Sequence, residues 1–496
     1  MSLKIYNSLT RQKEEFVPIN APHVGLYVCG PTVSGESHLG HARPYITFDV
    51  VYRYLMHLGY KVRYVRNITD AGHFEEEGRE AIDKIADKAL LEKLEPMELV
   101  HKYTSLFHWA FRQFNTLEPN IEPTATGHII EQINMIEKLI GEGYAYEVNG
   151  SVYFDVKKYA SNYNYGILSG RVVEDMLETT RELEGQDEKR NKADFALWKS
   201  APAKHIMRWK SPWGEGFPGW HIECSAMATK YLGTSFDIHG GGMDLIFPHH
   251  ESEIAQSTIC NHTAPVKYWM HNNMITVNGK KMGKSYNNQI KLTEMFSGEH
   301  PLLTQAFSPM TIRFFILQTH YRSTLDFSSE ALVASEKGLK RLWDAYEILK
   351  SLPTRDDTQV ATDSELDGRI NQQISEFEEF INDDFNTAKV LANMFEIVPV
   401  INSLKDGLIA SESISSGTLH RMKESFSVYL EEILGLKNES ETSEQFNGVM
   451  ALLVEIRKEA KLKKDFFTSD KIRNQLASLG IEMKDEKDGK ISWGKK

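Results

Sequence analysis

Val24-Gly25-Leu26-Tyr27-Val28-Cys29-Gly30-Pro31-Thr32-Val33-Ser34-Gly35-Glu36-Ser37-His38-Leu39-Gly40-His41 runs from an apolar segment through a glycine-bearing turn into the start of a helical pattern. The order reads as strand (Gly25–Cys29), tight loop, helix start. Helical periodicity continues over Thr47–Leu58, and Lys61–Ile68 reads as a second strand. The segment therefore predicts a right-handed βαβ unit in a parallel sheet. His38 and His41, three apart at the helix N-terminus, share a face beside backbone N–H groups that favour an anion.

A second string, Lys281-Met282-Gly283-Lys284-Ser285, places two lysines three apart in a polar, glycine-containing loop. With the histidines it suggests two donor-rich jaws for a polyphosphate. Taken singly, the histidine pair reads more often as surface or core histidine and the lysine pair more often as a solvated face. Two common nucleotide motifs are excluded. A P-loop ending at Lys284-Ser285 needs glycine at 278, which is Asn278, and Gly30, Gly35 and Gly40 lack GxGxxG spacing.

Around these strings lie 496 residues, enough for roughly three domains. With 41% hydrophobic and 25% charged residues the composition is that of a globular protein. There is no apolar run of membrane-spanning length and no apolar leader core, so no membrane partner is expected. The three cysteines, Cys29, Cys224 and Cys260, cannot build a disulfide framework and point to a reducing cytoplasm. The net charge of −12 excludes a wholly basic nucleic-acid coat. Residues 451–496 nevertheless carry twelve Lys/Arg against eight Asp/Glu, a local basic balance that can meet phosphates.

Further along, residues 75–118 read as a long charged helix and 124–142 as another, followed by a strand over Gly150–Val156. The dense charge of 171–193 reads as a connector, and the Pro/Gly-rich aromatic stretch Trp198–Trp220 as pocket-forming loops. Phe236–His239 and Tyr268–Val277 read as further strands of the parallel sheet. From about residue 330 long amphipathic helices take over, with joints at Pro353–Asp363, Ala410–Gly417 and Asn438–Gln445. A helix over Ser469–Leu479 and a hairpin turning at Asp488-Gly489 end the chain. The expected fold is α/β: a Rossmann-type parallel-sheet catalytic domain with an inserted α/β subdomain, then a helical bundle and a small C-terminal α+β segment. The boundaries fall at 1–118 and 198–275 for the two catalytic halves and 119–197 for the insertion. A loop and stem-contact region (276–335), the bundle (336–440) and the terminal segment (441–496) follow.

Cys224, His249 and Glu253 follow a Cys-x24-His-x3-Glu spacing, with His249 and Glu253 on one helix face, and Cys29 ends the first strand. All four are zinc-ligand types. Spacing alone leaves a zinc site and ordinary packing residues both open. His250-Glu251-Ser252-Glu253-Ile254 is not an HExxH motif, because position 254 is isoleucine.

Taken jointly, the motifs resemble a known family. Tyr27-Val28-Cys29-Gly30-Pro31-Thr32-Val33 with His38-Leu39-Gly40-His41 resembles the HIGH signature of class I aminoacyl-tRNA synthetases, and more narrowly the cysteinyl-tRNA synthetase family. Asn67-Ile68-Thr69-Asp70, Pro218-Gly219-Trp220-His221-Ile222-Glu223-Cys224-Ser225-Ala226-Met227 and Asp237-Ile238-His239-Gly240-Gly241-Gly242-Met243-Asp244-Leu245 continue the likeness. So do Phe247-Pro248-His249-His250-Glu251, His320-Tyr321-Arg322-Ser323 and Asp383-Asp384-Phe385-Asn386-Thr387, while Lys281–Ser285 resembles the KMSKS loop. The likeness spans essentially the whole chain. It departs at Gly283, where the family has serine, at Thr324, where proline is common, and at the acidic insertion after Asp70.

The resemblance implies activation of L-cysteine by ATP with Mg²⁺, and transfer of the cysteinyl group to tRNA(Cys), by a cytoplasmic monomer. It implies one Zn²⁺ on Cys29, Cys224, His249 and Glu253 that takes the substrate thiolate. His38, His41, Lys281 and Lys284 become catalytic, with Gly40, His41 and Lys284 binding ATP. Gly30, Thr32, Thr69, Trp220, His239 and Asp244 line the substrate site. Because serine's hydroxyl is a poor zinc ligand, no hydrolytic editing domain is required, and the modest insertion agrees. Arg313, Tyr321 and Arg322 fall where the family links active site and tRNA stem, and Lys461–Lys464 and Trp493 are candidate anticodon contacts. A ligase joining cysteine to an amino-sugar metabolite would share the catalytic core but lack the tRNA-binding C-terminus. A non-enzymatic zinc-stabilised RNA-binding protein would be expected to lose His38, His41 or Lys284.

Overall fold

The computed structural model describes residues 2–71, 84–172, 188–201, 205–283, 286–353, 361–478, 481–485 and 491–495. The chain forms two compact units, residues 1–436 and 437–496.

The first unit opens with a hairpin, β1 (Lys4–Asn7) and β2 (Gln12–Glu15), that the sequence pattern did not announce. β3 (His23–Val28) leads into α1 (Leu39–His57) and then β4 (Lys61–Arg66), so the expected βαβ unit is present. α1 begins eight residues earlier than its periodicity suggests. Gly40 and Pro44 dilute the pattern there, but His38 acts as N-cap, its side chain accepting the Gly40 N–H at 3.1 Å. Thirteen of its nineteen residues are buried, which makes it a core helix rather than an amphipathic one.

The expected helix over 75–118 is broken. Pro96 starts a new helix at its first position, giving α2 (Lys84–Glu92) and α3 (Pro96–Gln113); residues 75–83 lie outside the described residues. α4 (Ile129–Gly141) follows a short 3₁₀ turn. Next come β5 (Ala145–Val148), β6 (Ser151–Phe154), α5 (Val156–Asn162), β7 (Phe195–Ser200), β8 (Trp209–Ser211) and β9 (Gly214–Pro218). Among the described residues of the stretch expected as pocket loops, residues 198–200, Trp209–Ser211 and Gly214–Pro218 are therefore sheet. β5-β6-β7-β9-β8 form one antiparallel sheet that straddles residue 197. Its glycines serve close strand approach: a Cβ on Gly216 would lie 2.3 Å from the Lys199 carbonyl oxygen, and one on Gly219 2.0 Å from that of Ala196. Most of the expected connector, residues 173–187, lies outside the described residues.

α6 (Trp220–Leu232), β10 (Phe236–Gly242), α7 (Glu251–Asn261) and β11 (Val266–Asn272) complete the parallel-sheet domain. The parallel sheet has the order β11-β10-β3-β4. All four strands are parallel, and the direction in which successive strands are added reverses between β3 and β10, the place where α/β sheets open a crevice beyond their carboxyl ends. The run Tyr268–Val277 is not one strand. It bends at Asn273, and β12 (Ile275–Val277) leaves the parallel sheet to pair with β13 (Lys280–Lys281) and β14 (Leu325–Phe327). Between these strands lie α8 (Leu292–Ser297) and α9 (Pro309–Leu317).

A bundle follows: α10 (Ser329–Ser351), α11 (Ser364–Asn382), α12 (Thr387–Lys405) and α13 (Ser416–Phe426), ending in a wide helical turn over Ser427–Ile433. Ser328, Asp363, Asn386 and Ser415 cap its helices. An unforeseen joint lies at Asp383–Asn386, where Asp384 and Phe385 take left-handed angles (φ 68° and 53°).

The second unit holds α14 (Glu439–Leu462), α15 (Phe466–Ser478) and the antiparallel pair β15 (Ile481–Asp485) and β16 (Ile491–Lys495). α14 covers the joint expected over 438–445, and the Asp488-Gly489 turn lies outside the described residues. Met450, Leu476 and Met483 form its core, with Trp493 packed against them. Among the described residues no helix is long and apolar enough to cross a membrane.

Candidate active site and metal centre

At the sheet's carboxyl edge, β3 ends beside Cys29, whose N–H donates to the Gly240 carbonyl of β10 at 3.1 Å. α6 carries Cys224 one turn from its start. His249 sits in the wide turn before α7, and α7 presents Glu253. Ligand atoms of Cys29, Cys224, His249 and Glu253 all lie within 4.8 Å of one another. Cys29, His239, His250 and Glu253 satisfy the same limit, so three histidines, His239, His249 and His250, crowd the Cys29 thiol and the Glu253 carboxylate. His249 Nε2 lies 3.0 Å from Glu253 Oε1, and His239 Nε2 3.0 Å from Glu253 Oε2. His221 Nδ1 meets His249 Nδ1 at 3.0 Å, leaving Nε2 as the inward atom.

Charge in this buried cluster is set by its neighbours. Burial opposes charge on Cys29, but the Cys224 hydrogen bond together with His249 and His239 holds its pKa below the usual thiol range. Burial and the Cys29 charge push Cys224 upward, so the two thiols share one negative charge. Burial disfavours the Glu253 carboxylate, yet His239 and His249 bring it down to about 2. Burial lowers His250, as do the surrounding imidazoles, and burial takes His271 to about 3. Two sulfurs, an imidazole and a carboxylate gathered out of solvent fit a tetrahedral zinc ion.

His38 and His41 stack with ring centroids 3.8 Å apart at the N-terminus of α1. Each Nδ1 accepts a backbone N–H, from Gly40 and from His38 respectively. In the neutral rings this leaves Nε2–H as the donor, suited to phosphate oxygens. The lysine string lies alongside. Leu39 N–H donates to the Ile290 carbonyl and Leu292 N–H to that of Ser37, which pairs the turn before α1 with the residues following the loop. Met282 S would be 3.7 Å from a Cβ on Gly40. Lys281 ends β13; Lys284 and Ser285 lie outside the described residues. Asn288 clamps the loop, accepting the Gly283 N–H at 2.9 Å and donating to the Lys281 carbonyl at 3.0 Å.

The expected substrate residues spread around the thiol cluster. Thr32 and Thr69 bridge the turns after β3 and β4, and Gly30 N–H donates to Asn67 Oδ1 at 2.8 Å. Thr69 Oγ1 donates to Glu223 Oε1 at 2.8 Å. Trp220 is half-buried against the His249 ring at 4.4 Å. His239 is fully enclosed between Tyr27 and Trp269. Asp244 stands exposed on the short turn Met243–Leu245. Asn67, Glu223, His250 and His271 were not singled out as site residues by sequence, because each acts through a partner distant in the chain; Asn288 was missed as well, although its partners Gly283 and Lys281 lie close by.

Arg313 is wholly buried, paired with Asp49 of α1 at 2.5 Å and donating to the Leu434 and Phe114 carbonyls. Tyr321 and Arg322 both bond Asp384 at the bundle joint, each at 2.6 Å. These residues tie the catalytic sheet and α1 to the bundle.

The fold and the site define a class I tRNA synthetase. A family model described as the tRNA synthetases class I (C) catalytic domain matches residues 15–337, and a DALR domain model matches 376–438. A solved Mycobacterium tuberculosis methionyl-tRNA synthetase bound by methionyl-adenylate superposes with a TM-score of 0.57 at 12% identity, covering 83% of this chain and 92% of that one. That likeness is one of fold. Sequence relatives are nearer: the cysteine–tRNA ligase of Bacteroides thetaiotaomicron is 58% identical over 99% of this chain and 98% of its own. That of Porphyromonas gingivalis is 56% identical, over 98% of both chains. The Chlorobaculum tepidum ligase is 48% identical over 100% of this chain and 99% of its own. The chain belongs to the cysteine–tRNA ligase family.

Proposed function

We propose that the protein activates L-cysteine with ATP and Mg²⁺ and passes the cysteinyl group to the 3′ end of tRNA(Cys), acting as a cytoplasmic monomer. The observation that carries this reading is the sharing of one βα turn by Cys29 and by the His38/His41 pair. A sulfur-selecting site and a phosphate-handling site are then adjacent by construction.

In the first step a carboxylate oxygen of cysteine attacks the α-phosphorus, forming the adenylate as pyrophosphate leaves. In the second, a 3′-terminal adenosine hydroxyl attacks the activated carbonyl, and AMP departs. Positioning and charge stabilisation do most of the work. His38 and His41 offer Nε2–H donors, while Lys281 and Lys284 neutralise the departing pyrophosphate. Gly40 permits close approach of the nucleotide at the helix N-terminus. Cys29, Cys224, His249 and Glu253 would hold a zinc ion, which supplies a coordination position that a thiolate fills well and a serine hydroxyl poorly. Trp220, Asp244, Thr32 and Thr69 bound the amino-acid pocket around it, and His239 steadies Glu253.

The bundle and the terminal unit serve the tRNA. The matched DALR domain and the full-length relatives support that acceptor, and no observation favours an amino-sugar acceptor. Amino-acid-dependent ATP–pyrophosphate exchange, followed by charging of tRNA(Cys), tests the reading. Exchange specific for cysteine with charging is expected; exchange without charging would overturn the tRNA assignment.

A further inference from the structure

A line of hydrogen bonds crosses the amino-acid pocket with a direction that chemistry fixes. It begins at Gly30 N–H, which can only donate, and which reaches Asn67 Oδ1 at 2.8 Å. That contact orients the Asn67 amide, so its NH₂ is the end that donates to Thr69 Oγ1 at 3.1 Å. The Thr69 hydroxyl proton goes on to Glu223 Oε1 at 2.8 Å. A carboxylate can only accept, and the line ends there. Asn67, Thr69 and Glu223 are all buried, Glu223 completely. Glu223 precedes the candidate metal ligand Cys224 on α6, and Gly30 follows Cys29, so the relay joins the two segments that carry the thiols.

A hydroxyl has one proton and two lone pairs. On Thr69 the proton is committed to Glu223 and one lone pair to Asn67. The remaining lone pair can only accept. Of the polar groups on a cysteine substrate, the carboxylate and the thiolate are acceptors, and only the α-ammonium is a donor. We propose that Glu223 is a positioning residue that sets the polarity of Thr69 for an α-ammonium group, so that the pocket selects an amino acid over a plain thiol acid. The inference rests on the functional reading above and deepens it.

The test is cysteine-dependent ATP–pyrophosphate exchange on the full chain, with 3-mercaptopropionate as the competitor that keeps thiol and carboxylate but lacks the ammonium. Wild-type protein should hold 3-mercaptopropionate roughly 100-fold more weakly than cysteine, the scale of a charged hydrogen bond left unmade. Glu223→Gln should raise the KM for cysteine about 10- to 100-fold while the Ki of 3-mercaptopropionate moves less than about threefold. Zinc content by mass spectrometry and the KM for ATP should stay unchanged. Thr69→Val should reproduce the effect and Thr69→Ser should restore wild-type selectivity, which keeps the test decisive if the Glu223 variant misfolds. Equal rises in KM and Ki, an unchanged KM for cysteine, or loss of zinc with the selectivity would overturn the proposal. Wild-type protein that shows no exchange with cysteine would instead overturn the functional reading itself.

Discussion

Replacing Gly30 with alanine should disable cysteine activation while leaving ATP binding nearly intact. The backbone of Gly30 is not left-handed, so the obstacle is space alone. A Cβ there would stand 1.5 Å from the Asn67 carbonyl oxygen, whereas real Cβ contacts under 3.0 Å are essentially never seen. The turns after β3 and β4 must therefore part by at least about 1.5 Å. Three bonds between them are threatened: Gly30 N–H to Asn67 Oδ1, Thr69 N–H to Pro31 O, and Val33 N–H to Thr69 O. Losing even two of these, at about 1 kcal/mol each, with overpacking strain of about 1–3 kcal/mol, puts the stability cost near 3–5 kcal/mol.

The catalytic cost follows from geometry. Cys29, Thr32 and Thr69 all ride on the displaced turns, and a misplacement of about 1 Å costs on the order of 100-fold in rate. The kcat/KM for cysteine in pyrophosphate exchange should fall at least about 100-fold. His38 and His41 are anchored separately, through Leu39 N–H to Ile290 O and Leu292 N–H to Ser37 O. The KM for ATP should therefore change by less than about threefold. A variant whose cysteine kcat/KM stays within about threefold of wild type, or whose ATP KM rises as far as its cysteine KM, would refute the reasoning.

Chelation of the metal, or Cys224→Ser, should release zinc and weaken cysteine binding far more than ATP binding; with four donors sharing roughly 10–16 kcal/mol, one ligand is worth about 100- to 1,000-fold in metal affinity, read by zinc titration. Equal losses for both substrates would make the metal purely structural. Asn288→Ala frees the loop from both its clamps, so kcat should drop about tenfold with cysteine KM unchanged in steady-state exchange, as expected for two hydrogen bonds acting late. Arg313→Met strips donors from the Leu434 and Phe114 carbonyls and from Asp49, and urea unfolding of the larger unit should show a loss of about 3–5 kcal/mol. Burial works against the Glu122 carboxylate, but His108 and Arg66 hold its pKa below the usual value. That stability is complete above the unfolded carboxylate pKa and is lost as pH falls through the lower folded value, so Glu122→Gln should flatten the acid limb of a thermal-melt pH series.

What the sequence disclosed and what it concealed divide along the range of the interactions. The strand–turn–helix order around His38 and His41 and the His249–Glu253 pair rest on neighbours within a few residues, and periodicity and spacing register them. Trp198 to Pro218 misled because glycine and proline read as loop, although Gly216 and Gly219 are there to let strands approach. The break at Asn273 and the joint at Asp384 were hidden for another reason. Asn273 is held by Tyr321 and Arg322, and Asp384 accepts from Tyr6, Tyr321 and Arg322, all remote along the chain. Asn67 and Glu223 escaped notice likewise, their partners Gly30 and Thr69 lying on other turns of the fold: an isolated buried polar residue has no local pattern, only a partner.

That division accounts for how the site is put together. Residue types able to bind zinc and phosphate were visible as local strings, but their convergence depends on the strand order β11-β10-β3-β4, which brings Cys29 against Gly240 at the crevice. No single segment encodes that order. Once it is formed, the turn after β3 has Cys29 at one end and the His38 cap at the other, with Gly30 and Thr32 between them held by the turn after β4. One proposed metal donor, Cys29, the proposed phosphate donors His38 and His41, and the Gly30 end of the Thr69 relay thus share one short piece of backbone. A displacement there reaches cysteine selection first, because the phosphate end has a second anchor at Ile290 and the thiol end does not share it.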